Sequence, residues 1–478
     1  MKDLFFGRRK EMKKLETLLS KRTASLVVIK GRRRIGKSRL IEEFGKKLKT
    51  WTFIGLPPEG RVSAQDQRDT FASQMETQLG IRGIDTRDWS FLFWHLSQAT
   101  QKGRLLLILD EINWMGDKDP TFLGKLKTAW DRDFKKNPNL IVILCGSMST
   151  WIEKNILSRR GFLGRISLDM TLEELPLEVC NQFWHPKEKL ISSYEKFKVF
   201  SVTGGVPRYL EEIRPEWSAE QIINSLCFEK EGLLFNEFDR IFTDLFSRRS
   251  ASFRKIVQRL SEGASSLEEV SDALGMKKGG TISKYLAELV MSGFVSADFT
   301  WNLKTPKPSN THLYRLKDNY IRFFLKVIEP NKHKILQEEH ILSSGWDSVM
   351  GLQFENLVIN NRKKVKRSLN INPDHIVIDN PYFQKSGVSK KGCQIDYLIQ
   401  TKYNCLYICE IKFSRRKVGL GIIREMRKKI DALDPPTKFS IFPVLIHVNG
   451  VTDGVLESGF FSAILDFGEF LQDGEEIV

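Results

Sequence analysis

The segment Gly31, Arg32, Arg33, Arg34, Ile35, Gly36, Lys37, Ser38 matches the spacing G-x-x-x-x-G-K-[ST] at every fixed position. It follows the apolar run Ser25–Ile29 and opens a helical stretch, the context that gives this motif its meaning. Glycines let backbone amides curl around phosphates, and a helix N-terminus adds partial positive charge. Lys37 is expected to reach the β- and γ-phosphates of ATP and Ser38 to ligate Mg²⁺. A glycine-rich turn before a helix is the bland alternative, but the preceding strand and all four motif positions argue against it.

The surrounding pattern agrees. Trp51–Leu56 reads as a short strand, and Leu105–Leu109 and Leu140–Leu144 are continuous apolar runs. Strands of that kind are buried on both faces, as in a parallel sheet flanked by helices. The run 105–109 ends in Asp110 and Glu111, the carboxyl end where such a sheet places a metal contact and a water activator. Asp110 is therefore assigned to the Mg²⁺ shell and Glu111 to polarising the attacking water. The run 140–144 ends in Cys145, Gly146 and Ser147, where Ser147 is either a γ-phosphate sensor or part of a simple turn.

With 478 residues the chain is long enough for about three domains. The excess of 75 Lys and Arg over 59 Asp and Glu leaves a net charge of +16. Such an excess favours a polyanionic partner without naming it. No run approaches the ~20 apolar residues of a membrane span, and the N-terminus is too charged for a signal-peptide core. The six cysteines sit mostly in apolar runs without a CxxC, which reads as reduced, buried thiols of a cytoplasmic protein.

Residues 161–240 turn helical, interrupted at Gly204–Pro207. Residues 245–310 read as a helix-turn-helix: Phe253–Leu260, Leu267–Leu274 and Thr281–Met291 as helices, Val270, Leu274, Ile282, Leu286 and Leu289 as their core. Lys277, Lys278, Ser283 and Lys284 fall near the leading end of the last helix, where bases or phosphates are met. Gly293, Phe294 and Val295 have the pattern of the entry to a β wing, and Trp301–Asn310 that of its tip or a linker. Such a module contacts either DNA or a protein.

Further on, Asp396 lies on one predicted strand and Glu410 and Lys412 on the next, the latter two on one face by their spacing of two. Glu355, on the predicted helix Gly351–Lys364, completes the cluster. Two carboxylates with a lysine resemble the PD-(D/E)XK nuclease core, in which the acids hold Mg²⁺ and the lysine steadies the attacking water or the phosphate. Ile395 stands where that family often carries proline. Basic runs flank the motif at Arg362–Lys364, Lys366–Arg367, Arg415–Lys417 and Arg427–Lys429. The alternative is a solvated basic face with an ordinary strand ion pair.

Taken together, Phe6, Gly7, Arg8, Arg9 and Glu11, the arginine-rich loop, the Leu-Asp-Glu strand, Gly146–Ser147 and Thr203–Pro207 resemble the archaeal-type ATPases. These are a STAND/AAA+-related branch close to the Orc1/Cdc6 initiators, and the resemblance covers about the first 300 residues. It implies an α/β P-loop core over 1–160, a helical lid over 161–244, a winged helix over 245–310 and a restriction-endonuclease-like domain over 311–478. It also implies a nucleotide contact running from Gly31 to Arg39, with Phe6, Gly7 and Arg8 lining the base pocket and Pro207 near the adenine. Arg165 corresponds to a position that serves as an arginine finger, in cis or in trans within a homo-oligomer; a plain surface arginine is the other reading. Arg208 is a candidate phosphate sensor of the lid. Three functions follow: an ATPase that couples nucleotide state to DNA through the winged helix and nuclease-like tail, a slow nucleotide switch that docks a protein, or an ATP-dependent endonuclease that defends against foreign DNA.

Overall fold

The computed structural model describes residues 5–57, 62–147, 149–158, 160–246, 249–276, 279–339, 346–387, 391–433 and 435–472. The chain divides into two compact units, one running to Glu174 and the other starting at Leu175. Among the described residues no helix is long and apolar enough to cross a membrane.

The first unit is a five-stranded parallel sheet of β1 (Ser25–Lys30), β2 (Lys49–Ile54), β3 (Leu105–Asp110), β4 (Leu140–Gly146) and β5 (Ile166–Thr171). The spatial order is β2-β3-β4-β1-β5. The apolar runs account for this: alternate residues of β3 and β4 feed two separate cores. One contains Trp89, Phe93 and Phe122, the other Leu15, Leu40 and Phe44. Because β5 pairs with β1, the ATPase sheet extends past residue 160, and the unit closes only at Glu174. With all strands parallel, the carboxyl ends of β1, β3 and β4 open on one edge, which is where ligands bind in such sheets.

The outer strand β2 is closed by glutamine side chains from the helix Ala64–Leu79. Thr52 exchanges two hydrogen bonds with the Gln78 amide at 2.9 and 2.6 Å. Ile54 does the same with Gln74 at 2.8 and 2.9 Å, and Leu56 with Gln67 at 2.9 Å in both directions. Each amide offers one donor and one acceptor, so the three mimic peptide groups of a missing neighbour strand. Unpaired edges template association between chains. The double substitution Gln74→Leu with Gln78→Leu is expected to produce a larger, concentration-dependent mass by light scattering than the unsubstituted chain gives; an unchanged mass would remove this role.

The second unit begins with helices, among them Ser193–Thr203 and Ala219–Cys227. Gly204, at φ 58°, ends the first of these. Then come the helix Ser250–Glu262, strand β6 (Ser265–Ser266), the helices Leu267–Ala273 and Gly280–Met291, and strands β7 (Val295–Trp301) and β8 (Pro308–Leu316). The strands form a sheet in the order β6-β8-β7. Ser266 and Glu269 cap the second helix reciprocally, as a capping box does. Val270, Ile282, Leu286 and Leu289 are buried as expected; Leu274 is only half-buried.

The remainder is a mixed sheet, β13-β12-β11-β10-β9. Its strands are β9 (Ile376–Gln384), β10 (Cys393–Thr401), β11 (Cys405–Ile411), β12 (Ser440–His447) and β13 (Ala463–Asp466). The helices Asp347–Asn360 and Arg362–Ser368 precede it, and Gly421–Leu433 links β11 to β12. The segment after β7 is anchored at two positions, while Asn302, Lys304, Thr305 and Lys307 are exposed. Trp301 and Leu303 are buried in the core of this sheet. Trp301 Nε1 donates to Gln400 Oε1 at 2.6 Å, and Gln400 Nε2 donates to the Leu303 carbonyl at 2.8 Å. A large indole with a hydrogen-bond partner on β10 gains more by burial than by exposure, so the boundary expected at residue 310 runs through a shared core.

Candidate functional site

The loop between β1 and the helix Lys37–Gly45 carries the motif. Gly31, at φ 152°, lies so near the chain beyond β5 that a Cβ there would meet the Leu172 carbonyl oxygen at 2.6 Å. Ile35 is buried in the core beneath the loop. Lys37 is buried, its ammonium held inside the loop by the carbonyls of Gly31 at 2.9 Å and Arg32 at 3.0 Å. Arg32 pairs with Glu174 at 2.7 Å, and Arg33, Arg34 and Arg39 each have partners.

The carboxyl ends of β3 and β4 deliver the remaining groups. Ser38 Oγ stands 3.3 Å from Asp110 Oδ2, while Asp110 Oδ1 accepts from the Glu111 N–H at 2.9 Å. Glu111 sits at φ 48°, a left-handed conformation costly for a non-glycine residue and a mark of functional sites. Its Oε2 accepts from Ser147 Oγ at 3.0 Å and Ser147 N at 3.3 Å. Burial raises the Glu111 carboxyl above its ordinary 4.5, with Lys37 opposing and Asp110 adding to the rise.

Asn113 was not legible in the sequence. In the orientation that satisfies its neighbours, its amide donates to Glu111 Oε2 at 3.3 Å and accepts from Trp114 Nε1 at 3.2 Å. Gly146 leaves room for it, since a Cβ there would lie 2.4 Å from the Asn113 side-chain amide. The hydroxyl of Ser38 and the carboxylate of Asp110 are adjacent hard oxygen donors, which suit Mg²⁺. The loop, lysine and helix N-terminus suit the phosphates of ATP.

Other expected contacts resolve differently. Arg8 is buried and braces the loop instead of standing free. It bonds the carbonyls of Ile35 at 3.0 Å and Glu173 at 2.6 Å, and Glu11 at 3.1 Å. Phe6 and Gly7 beside it are half-buried. Arg165 is engaged by both carboxylate oxygens of Asp131 at 2.8 Å. A finger role requires that bidentate pair to open. Pro207 opens the helix Pro207–Leu210 in the second unit, and Arg208 pairs with Glu212 at 2.6 Å. Lys277 and Lys278 lie outside the described residues.

In the second unit the expected cluster assembles with one addition. Asp396 Oδ2 accepts from the Ile411 N–H at 2.9 Å, and Glu410 Oε1 pairs with Lys412 at 3.0 Å. Lys429, unassigned in the sequence, reaches between them to Asp396 Oδ1 at 3.0 Å and Glu410 Oε2 at 2.5 Å. Burial works against the Lys429 ammonium, but Asp396 and Glu410 outweigh it and hold it charged. Burial and the Asp396 charge push Glu355 up to about 7. Of the expected metal set, Asp396 and Glu410 both pair with Lys429. Among the described residues no group of three or more His, Cys, Asp or Glu is arranged to hold a metal. The basic rim is also partly committed: Lys366 pairs with Asp379 at 3.0 Å and Lys364 with Glu178 at 2.6 Å.

Residues 5–213 match the model of an ATPase domain found predominantly in Archaea. An uncharacterised protein of Methanocaldococcus jannaschii is 25% identical over 368 residues, 74% of this chain and 76% of that protein. A Walker-type ATPase of Pyrococcus abyssi has a similar fold, with a TM-score of 0.51 and 17% identity over 68% of this chain and 96% of its own. The Aeropyrum pernix ORC2 protein, solved as ADPNP–ADP complexes, matches 71% of this chain and 97% of its own at a TM-score of 0.44 and 16% identity. With the P-loop geometry above, residues 5–213 resemble an ATPase domain of the predominantly archaeal type.

Proposed function

We propose that this chain binds and hydrolyses ATP with Mg²⁺ and couples its nucleotide state to DNA binding through a winged helix, with a nuclease-like domain at the C-terminus. The observation that carries the first part is the convergence of Lys37, Ser38, Asp110, Glu111 and Ser147 at one sheet edge. Bound Mg²⁺ would draw charge from the phosphates as the terminal phosphoryl group leaves. Lys37 would turn from its loop carbonyls to those phosphates, Ser38 and Asp110 would hold the metal, and Glu111 would orient the attacking water. Ser147 and Asn113 fix the Glu111 carboxylate in that direction.

The DNA part is supported by element order: helix, strand, helix, helix and two strands, the sequence of a winged helix. Thr281, Ser283, Lys284 and Ala287 on the last of these helices are exposed on one side, available to a groove. The nuclease-like reading is supported by a helix before three antiparallel strands and a helix leading into β12. A second reading, the slow switch that docks a protein, is favoured by the burial of Trp301 and Leu303, which anchors the base of the wing in the neighbouring sheet.

The test compares the unsubstituted chain with Lys37→Ala and Lys284→Glu in nucleotide binding, phosphate release and fluorescence-anisotropy titration of duplex DNA with and without ATP. Lys37→Ala is expected to abolish turnover. Lys284→Glu is expected to weaken DNA binding about tenfold and to reduce its salt dependence, as loss of a phosphate contact does. DNA affinity indifferent to ATP and to Lys284→Glu would leave the protein-docking switch.

A further inference from the structure

We infer that Lys429 is the resident counter-ion of the carboxylate pocket and keeps divalent metal out of it, an inference that rests on the nuclease-like reading of the C-terminal fold. The pocket is saturated. Asp396 Oδ1 faces Lys429 and Oδ2 the Ile411 N–H; Glu410 Oε2 faces Lys429 and Oε1 faces Lys412. Lys412 is itself tied to Glu425 at 2.9 Å. Two carboxylates thus meet two ammonium groups, and every oxygen of the pair already accepts a charge-assisted bond, the strong kind of hydrogen bond, with which an entering metal ion must compete.

The helix makes this arrangement rigid. Met426 and Leu433, one on either side of Lys429 along Gly421–Leu433, are buried in the same core as Ile395 and Leu398. Of the basic run Arg427, Lys428 and Lys429, the first two are exposed and only the third turns inward. A divalent ion entering between Asp396 and Glu410 would have to expel that ammonium and leave it half-buried without a partner, a costly state. It would also face repulsion from Lys412. Removing the charge reverses the balance. Lys429→Met keeps the length of the side chain and leaves Asp396 and Glu410, with Glu355 nearby, as an anionic set of hard oxygens, the chemistry that takes Mg²⁺ or Mn²⁺.

The experiment titrates Mn²⁺ into the full chain without nucleotide, reading free ion by electron paramagnetic resonance and stability by thermal melting. The unsubstituted chain is expected to bind Mn²⁺ weakly and to melt at the same temperature with and without it. Lys429→Met is expected to melt lower, to recover on adding Mn²⁺ as a ligand-linked fold does, and to bind it at least tenfold more tightly. The gain should vanish in Lys429→Met with Asp396→Asn. Lys429→Gln, which keeps hydrogen-bond donors without charge, serves if the methionine variant does not fold. Tight binding by the unsubstituted chain, lost in Asp396→Asn, overturns the role of Lys429 while leaving the nuclease-like reading in place. A folded Lys429 variant that gains no binding overturns both.

Discussion

Glu111→Gln is expected to slow ATP turnover about a hundredfold or more while leaving nucleotide affinity within a few-fold. General-base and water-orienting carboxylates contribute rate factors of that order, and Gln keeps the volume and the hydrogen bonds from Ser147. The pH profile adds a second signature. As a water activator Glu111 would work ionised, and its pKa lies above the ordinary value because of burial first and Asp110 second. The acid limb of turnover should therefore fall at a higher pH than an exposed glutamate would give, and should disappear in the variant. Stability carries the opposite sign. A carboxyl whose folded pKa is raised binds its proton more tightly in the folded state, so folding is weakened as pH rises from the unfolded to the folded pKa. Glu111→Gln removes that cost, and its melting point above this window should equal or exceed that of the unsubstituted chain. Undiminished turnover would deny Glu111 its role and favour the slow switch.

Arg8→Ala is expected to destabilise the first unit by about 2–4 kcal/mol, since it strands two backbone carbonyls and breaks a buried charged network. Melting should fall by several degrees. Nucleotide affinity should fall with it, because one of those carbonyls belongs to Ile35 inside the phosphate loop. Thermal melting and nucleotide titration on the same sample separate two roles. Lost affinity at full stability would make Arg8 a direct contact with the base, as the family resemblance implies; lost stability with lost affinity makes it a brace.

The different legibility of these sites has a physical cause. The phosphate loop, the buried strands and the Asp110–Glu111 pair are local features, in which spacing of a few residues sets the chemistry. Asn113 and Arg8 act through partners 2 and 27 residues away, respectively, at Glu111 and at Ile35. Asn113 is hidden in a four-residue helix after β3. Arg8 is indistinguishable from a surface arginine until its acceptors are placed. The hairpin of β10 and β11 is readable from alternation, and so is the pairing of Glu410 with Lys412. Lys429 is readable only as part of a basic run, because nothing in Arg427, Lys428 and Lys429 distinguishes the residue that turns inward.

The sequence by itself determined an α/β nucleotide-binding core, the three helices between residues 250 and 291 with the entry to β7, and the acids of the C-terminal sheet. Periodicity and motif spacing are enforced within one element or one turn. The tertiary structure alone decided that β5 completes the ATPase sheet, that glutamines close its outer edge, and that Trp301 is sunk into the neighbouring sheet. It also decided that an ammonium fills the carboxylate pocket. Each of those depends on groups brought together from 11 to 141 residues apart, and burial and charge pairing across such distances follow from packing rather than from local pattern.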